Sequence, residues 1–155
     1  NRGGTKLDPY MQLRATLTSS DEGDHRRVTV TVDLDNTAPA GLPRYVEGPY
    51  AGIDAVAGEY IGILSLSVPG TATEPATSAH GFAAVGQDGP TRVGGANVAV
   101  PRGEQRQVSF SFDLPQDVDA VQVTSGGRVP ATRWTAGDLS WTERRPRTVA
   151  LDPLE

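Results

Sequence analysis

Only two histidines, His25 and His80, and no cysteine are available for nucleophilic or metal chemistry in this chain. A nucleophile needs a base within hydrogen-bond reach and a third group to orient that base. His25 closes the charged turn TSSDEGDH (18–25), His80 sits in a Gly/Ala-rich stretch, and no serine falls in G-x-S-x-G. Both histidines read as solvated loop residues, so no hydrolytic triad is expected. The missing cysteine also excludes a thiolate nucleophile, a disulfide framework and a Cys-ligated metal.

Paired carboxylates are the second chemistry these residue types allow. In VTVDLDN, Asp33 and Asp35 share one strand face about 7 Å apart, two residues of strand rise, and Asp113, Asp117 and Asp119 add others. Glycoside hydrolysis needs two carboxyl groups about 5–10 Å apart in a cleft, with Asp33, Asp35 and Glu47 as the residues to supply them. Two Trp and four Tyr are few for the aromatic lining of such a cleft. The plainer reading is that these aspartates form the wet face and turns of ordinary strands.

Calcium is the cation to consider. Asp21, Glu22 and Asp24 form one oxygen-rich set and Asp33, Asp35 and Asn36 another, although neither follows the twelve-residue calcium-loop pattern. The basic run ERRPR (143–147) with Arg133 suits a phosphate or an acidic partner, or else guards an edge strand against aggregation. Trp134 and Trp141 stand seven residues apart across a Gly-containing turn, placed to pair on one sheet face or to pack under the sandwich end, with a sugar-stacking platform as the alternative to core packing. The segment NTAPAGLPRYVEGPY (36–50) is a stiff corner in which Pro39 and Pro43 fix the backbone. Arg44, Tyr45, Glu47 and Tyr50 are its candidate ligand-loop residues.

What positions these groups is a pattern of period two. LRATLT puts Leu13, Ala15 and Leu17 on one face. RRVTVTVDLD puts Val28, Val30, Val32 and Leu34 on one face, and QVSFSFDL does the same with Val108, Phe110, Phe112 and Leu114. Such alternation marks antiparallel strands with one packed and one wet face. YIGILSLSV (60–68) breaks the pattern with Ile61 and Ile63 on the other parity, as in a strand covered on both faces or bulged at Gly62. Shorter strands are expected at 96–100, 120–125, 137–143 and 147–151. Residues 51–60 are the best helix candidate, weakened by Gly52 and Gly58. Residues 69–95 are expected to be a long loop region holding one or two short strands.

About seven to nine short strands with Gly/Pro turns predict an all-β, immunoglobulin-like sandwich, with a small β-barrel as the alternative. The 155 residues are expected to form one domain, enough to bury roughly 70% of the unfolded surface. A net charge of −5 argues against nucleic acid or an anionic membrane as partner. No apolar run reaches the roughly 20 residues of a membrane-spanning helix. The sequence does not begin with Met and has no signal-peptide pattern, which reads as a domain cut from a larger protein. Thirteen Arg against a single Lys, with 18 Gly, is the bias of a GC-rich bacterial genome.

In order along the chain, LDPYMQLRATLTS (7–19), VDLDNTAPAGLPRYVEGPY (32–50), GEYIGILSLSVPG (58–70) and VAVPRGEQRQVSFSFDLP (98–115) resemble one family. It is the C-terminal β-rich region of actinobacterial envelope proteins grouped as domain-of-unknown-function family 4012. Asn36–Pro39 and Leu42–Val46 carry the most specific part of the resemblance, which spans roughly residues 7–125. The resemblance implies an extracytoplasmic domain of a cell-envelope protein, anchored through a membrane segment outside this sequence, and assigns no catalytic residues. The expected function is a non-catalytic spacer or recognition module with no cofactor, calcium being the one ion considered. Its expected partners are other domains of the same protein and cell-wall glycan or protein. The alternatives are an enzyme acting on envelope polysaccharide and a calcium-dependent adhesion module.

Overall fold

The strict alternation of residues 11–36 folds into the longest hairpin of the molecule. The computed structural model describes residues 1–124 and 126–151. Strands β1 (Met11–Asp21) and β2 (His25–Asn36) pair antiparallel from Met11 opposite Asn36 to Asp21 opposite Arg26. The other edge of β2 pairs with β7 (Gln105–Pro115), setting Val28 against Phe112, Val30 against Phe110 and Val32 against Val108. Three adjacent strands thus turn one apolar face inward, and all of these side chains are buried. Each is worth roughly 1.5–3 kcal/mol.

Edge strands complete this layer. β4 (Thr73–Thr77) joins β7, and β9 (Arg133–Ala136) joins β1 in the one parallel pairing among the described residues. β10 (Leu139–Thr142) forms a hairpin with β9, giving the order β10-β9-β1-β2-β7-β4. The opposite layer has two pieces. β3 (Tyr60–Pro69), β5 (Ala84–Asp88) and β6 (Thr91–Val100) form a sheet in the order β3-β6-β5. β8 (Ala120–Val123) and β11 (Arg147–Ala150) form a separate two-stranded sheet. Buried side chains from all three sheets make one core. The fold is an all-β sandwich, and no sheet closes into a barrel.

Several expectations change in detail. The described residues hold eleven strands rather than seven to nine. Residues 69–95, expected as a long loop region, carry β4, β5 and the start of β6. β5 overlaps the strand expected at HGFAAV (80–85) and the start of β6 the one expected at TRV (91–93), whereas β4 was not expected, because it buries almost nothing and no apolar period marks it. Residues 51–60 form no helix; a single helical turn, α1 (Arg44–Glu47), lies instead in the proline-rich corner. β3 is regular at Gly62, and it is an edge strand rather than a central one. Glycine is required at 62 because a Cβ there would meet the Tyr60 ring at 2.8 Å. The strand expected at 120–125 runs to Val123, and its last residue, Ser125, lies outside the described residues.

Two of the crossings between the layers, β2 to β3 and β6 to β7, meet at Asn36, which is completely buried. Its Nδ2 donates to Gly58 O at 2.9 Å, just before β3, and to Val100 O at 2.8 Å, the end of β6. Its Oδ1 accepts from Ala38 N–H at 3.1 Å. Its backbone N–H donates to Glu104 O, and its carbonyl accepts from Gly103 N–H, in the turn that carries β6 into β7. Replacing Asn36 by Ala removes all three bonds of a buried amide and leaves the buried Gly58 carbonyl without its side-chain donor, and is expected to cost about 3 kcal/mol. Thermal unfolding followed by circular dichroism should register this as a fall in Tm of about 10 °C. A shift below about 2 °C would show that these bonds do not make Asn36 a fastening.

Candidate functional site

A cleft of about 450 Å³ opens where the two pieces of the second layer fail to meet. Its floor is the inner face of the six-stranded sheet: Leu13, Ala15, Leu17, Val30 and Val32. One wall is β3 from Ile63 to Pro69, and the other is β8 with Thr124. β3 and β8 are not paired with each other. Along this seam the inward side chains Leu64, Leu66 and Val68 remain half-buried, whereas the inward residues of β2 and β7 are sealed. The cleft falls within the roughly 300–1,000 Å³ of small ligand sites and shares their apolar character.

Polar groups gather at one end. Arg128 donates from Nε to Pro130 O at 3.1 Å and from Nη2 to Asp8 O and Met11 O at 3.3 and 3.0 Å. Glu143 is buried, with its Oε1 accepting from Gly126 N–H at 2.7 Å and its backbone N–H donating to Thr132 O. Trp134 also lines the cleft and stacks on Trp141 directly across the hairpin, with centroids 6.0 Å apart and planes 13° from parallel. The Trp134 indole N–H is buried without a hydrogen-bond partner among the described residues. Arg147 covers the Trp141 ring at 5.1 Å. The ERRPR run therefore divides: Glu143 turns inward, Arg147 packs on an indole, and Arg144 and Arg145 stay exposed.

The expected ligand-loop residues lie elsewhere, and none of them lines the cleft. Tyr45 and Tyr50 are 59% and 41% exposed, and Tyr50 donates its hydroxyl to Tyr45 O. Lys6 approaches the Tyr45 ring at 5.2 Å. Glu47 forms an ion pair with Arg102, and its carbonyl accepts from Gly58 N–H. Arg44 is exposed at the start of α1. Main-chain bonds hold the turn from two sides, since Lys6 N–H also donates to Val46 O. The corner is thereby fixed in shape, with its two tyrosines outermost.

Asp33 and Asp35 flank Leu34 on the outer face of β2, on the far side of the sheet from the cleft floor. Asp33 accepts from Gln107 Nε2. Asn36 points the opposite way, into the core, with its amide fully engaged, so it cannot join them on an ion. Asp21 accepts from Gly23 N–H and Gln116 Nε2. Asp117 and Asp119 are exposed, as is His80. No three acidic or histidine side chains converge as a metal group among the described residues.

His25 is better placed than its loop position suggested. Its Nδ1 lies 2.5 Å from Asp24 Oδ1 and its Nε2 lies 3.5 Å from Asp113 Oδ2. Asp113 is buried on the outer sheet face, and Arg27 reaches it with Nη2 at 3.1 Å. Arg27 Nε is 2.5 Å from Asp113 Oδ1 but lacks hydrogen-bond alignment. This is an imidazole between two carboxylates, with no hydroxyl nucleophile bonded to it among the described residues.

No family profile matches the chain, and no curated protein matches it closely enough to count as a relative. The cleft was missed in the sequence because its walls are far apart along the chain. One clue was available: Leu139, Trp141 and Glu143 share a parity, which places Glu143 on the indole side of its hairpin.

The His25 cluster carries a pH prediction. The hydrogen bond to Asp24 raises the imidazole above its usual value, Asp113 and the Asp24 charge add to this, and partial burial and Arg27 oppose it. Folding therefore favours the protonated form. The stabilisation is fully present below about pH 6.5 and is lost as pH rises through the elevated folded value. Urea unfolding from pH 6 to 9 should show stability declining over that window in the wild type and flat for His25→Gln. Equal slopes in the two proteins would remove His25 as the cause.

Proposed function

We propose that this sandwich is a non-catalytic recognition module of a bacterial cell-envelope protein, working outside the cytoplasmic membrane. The observation that carries the reading is the half-covered seam between β3 and β8. A pure spacer gains nothing from leaving Leu64, Leu66 and Val68 partly uncovered over an apolar floor, because each open apolar side chain forgoes burial energy. A binding module does gain, since the uncovered strip is its contact surface.

The chemistry of the cleft favours binding over turnover. Glu143 is the single carboxylate among the described residues that line it, and polysaccharide hydrolysis calls for two facing groups. The envelope setting comes from the resemblance carried by Asn36–Pro39 and Leu42–Val46, and the acidic net charge agrees with a partner other than nucleic acid.

The test is cosedimentation of the purified domain with cell walls and with solubilised envelope fractions, comparing wild type with Leu66→Glu. This substitution puts a charge on the half-buried cleft wall without emptying the core. Wild type should be retained at least tenfold more than the variant. Equal retention, or none for either protein, would leave the spacer as the better description.

A further inference from the structure

The free edge of β3 specifies what the cleft takes, given that the recognition reading holds. In an antiparallel strand the N–H and C=O of one residue point to the same side, and the side alternates along the chain. Ile61 O accepts from Arg2 N–H at 2.8 Å and Gly3 N–H at 3.2 Å, so Ile61 faces away from β6. The β3–β6 register runs unbroken from Tyr60 to Pro69. The main-chain groups of Ile63, Ser65 and Ser67 therefore face away from β6 as well, along the wall of the cleft. Pro69, which has no N–H to leave unpaired, shares this parity, as expected of a proline on an open edge. Ile63, Ser65 and Ser67 make no main-chain hydrogen bond on that side among the described residues.

The far wall matches. Asp119 O accepts from Leu151 N–H on the β11 side of β8. By the same alternation, Ala120 and Gln122 turn their main-chain groups away from β11, and Gln122 lines the cleft. Among the described residues, two unpaired strand edges thus look into one slot with an aliphatic floor. Such a slot requires main-chain donors and acceptors at strand spacing, which a lipid tail or a glycan does not supply.

We propose that the cleft binds an extended peptide segment as an added strand on the Ile63–Pro69 edge of β3. The chain already makes the first rung of this ladder, since Arg2 and Gly3 seat on Ile61 before Gly4, at φ +65°, turns the backbone off the edge. The bound segment continues from there for about five to seven residues, the length of the open edge. Its alternate side chains are small or medium aliphatics, because they meet Leu13, Ala15, Leu17, Val30 and Val32. The segment is uncharged where it passes the polar end, because the Arg128 guanidinium is held by three carbonyls and Glu143 Oε1 by Gly126 N–H. This is strand addition, in which main-chain bonds give affinity and side-chain pockets give selectivity.

The experiment uses four seven-residue peptides in which Ala, Val, Leu or Ile alternates with Thr, titrated into the labelled protein by NMR and by calorimetry. At least one should bind and move the amide resonances of Ile63, Ser65 and Ser67. Ser65→Ala changes an outward side chain and should bind like wild type. Ser65→Pro removes an unpaired N–H without touching the β6 ladder and should weaken binding at least tenfold. Ser67→Pro, or N-methylation of alternate peptide amides, replaces it should Ser65→Pro fail to fold. Equal binding by the Pro and Ala variants would overturn strand addition, as would no binding by any peptide at millimolar concentration. If envelope fractions are still retained in a Leu66-dependent way, or phosphatidylglycerol vesicles occupy the cleft instead, only the peptide inference fails. If nothing occupies the cleft and no fraction is retained, the recognition reading fails with it.

Discussion

One side-chain amide fastens together two of the passages that join the layers of this sandwich. The chain leaves the six-stranded sheet at Asn36 for β3 and, after an excursion back into it as β4, enters it again from β6 after Val100, and these two passages are tied to the Asn36 carboxamide. An amide suits this place better than any other small side chain. It offers two donors and an acceptor in one plane, and here all three functions are engaged without burying a charge. A carboxylate at the same point would face two carbonyl oxygens, and an aliphatic residue would take this donor from both.

The joint settles one end of the sandwich and leaves the other side of the second layer unfinished. β3 is held at its start by Tyr60, Gly62 and the N-terminal segment, and by β6 along its length. Nothing in the described chain continues the layer beyond it. β8 and β11 cover the core from the opposite margin, with Val123, Val149 and Leu151 buried, but they stop short of β3. An edge strand left open is an aggregation risk that proteins ordinarily blunt. Here Pro69 and the recessed position between two sheets supply that protection, and the floor remains reachable by a single extended chain.

The alternating strands were plain in the sequence because β1, β2 and β7 have one sealed face and one wet face, the condition under which a period of two survives. β4 lies outside that condition, being exposed on both faces, so its composition looked like loop, and β5, equally exposed, showed only in part through HGFAAV. The tie at Asn36 was partly legible. Position 36 has the parity of Val28, Val30, Val32 and Leu34, and a polar residue ending an apolar face points at buried main-chain groups. The parallel pairing of β1 with β9 was invisible, since it joins residues 119 positions apart with no local pattern at either end, as at Thr16 and Thr135. The cleft was harder still, because a site made by two strands not meeting has no motif of its own.

The stacked indoles have a practical consequence. Trp134 and Trp141 are the only two tryptophans of the chain, and they stand against each other with one of them in the cleft wall. The near-ultraviolet light the protein absorbs through indole is therefore all collected at a single place. A change in the packing or polarity of the cleft acts on every indole at once, with no distant fluorophore to dilute the signal. The molecule carries its own optical gauge beside the surface assigned here to recognition.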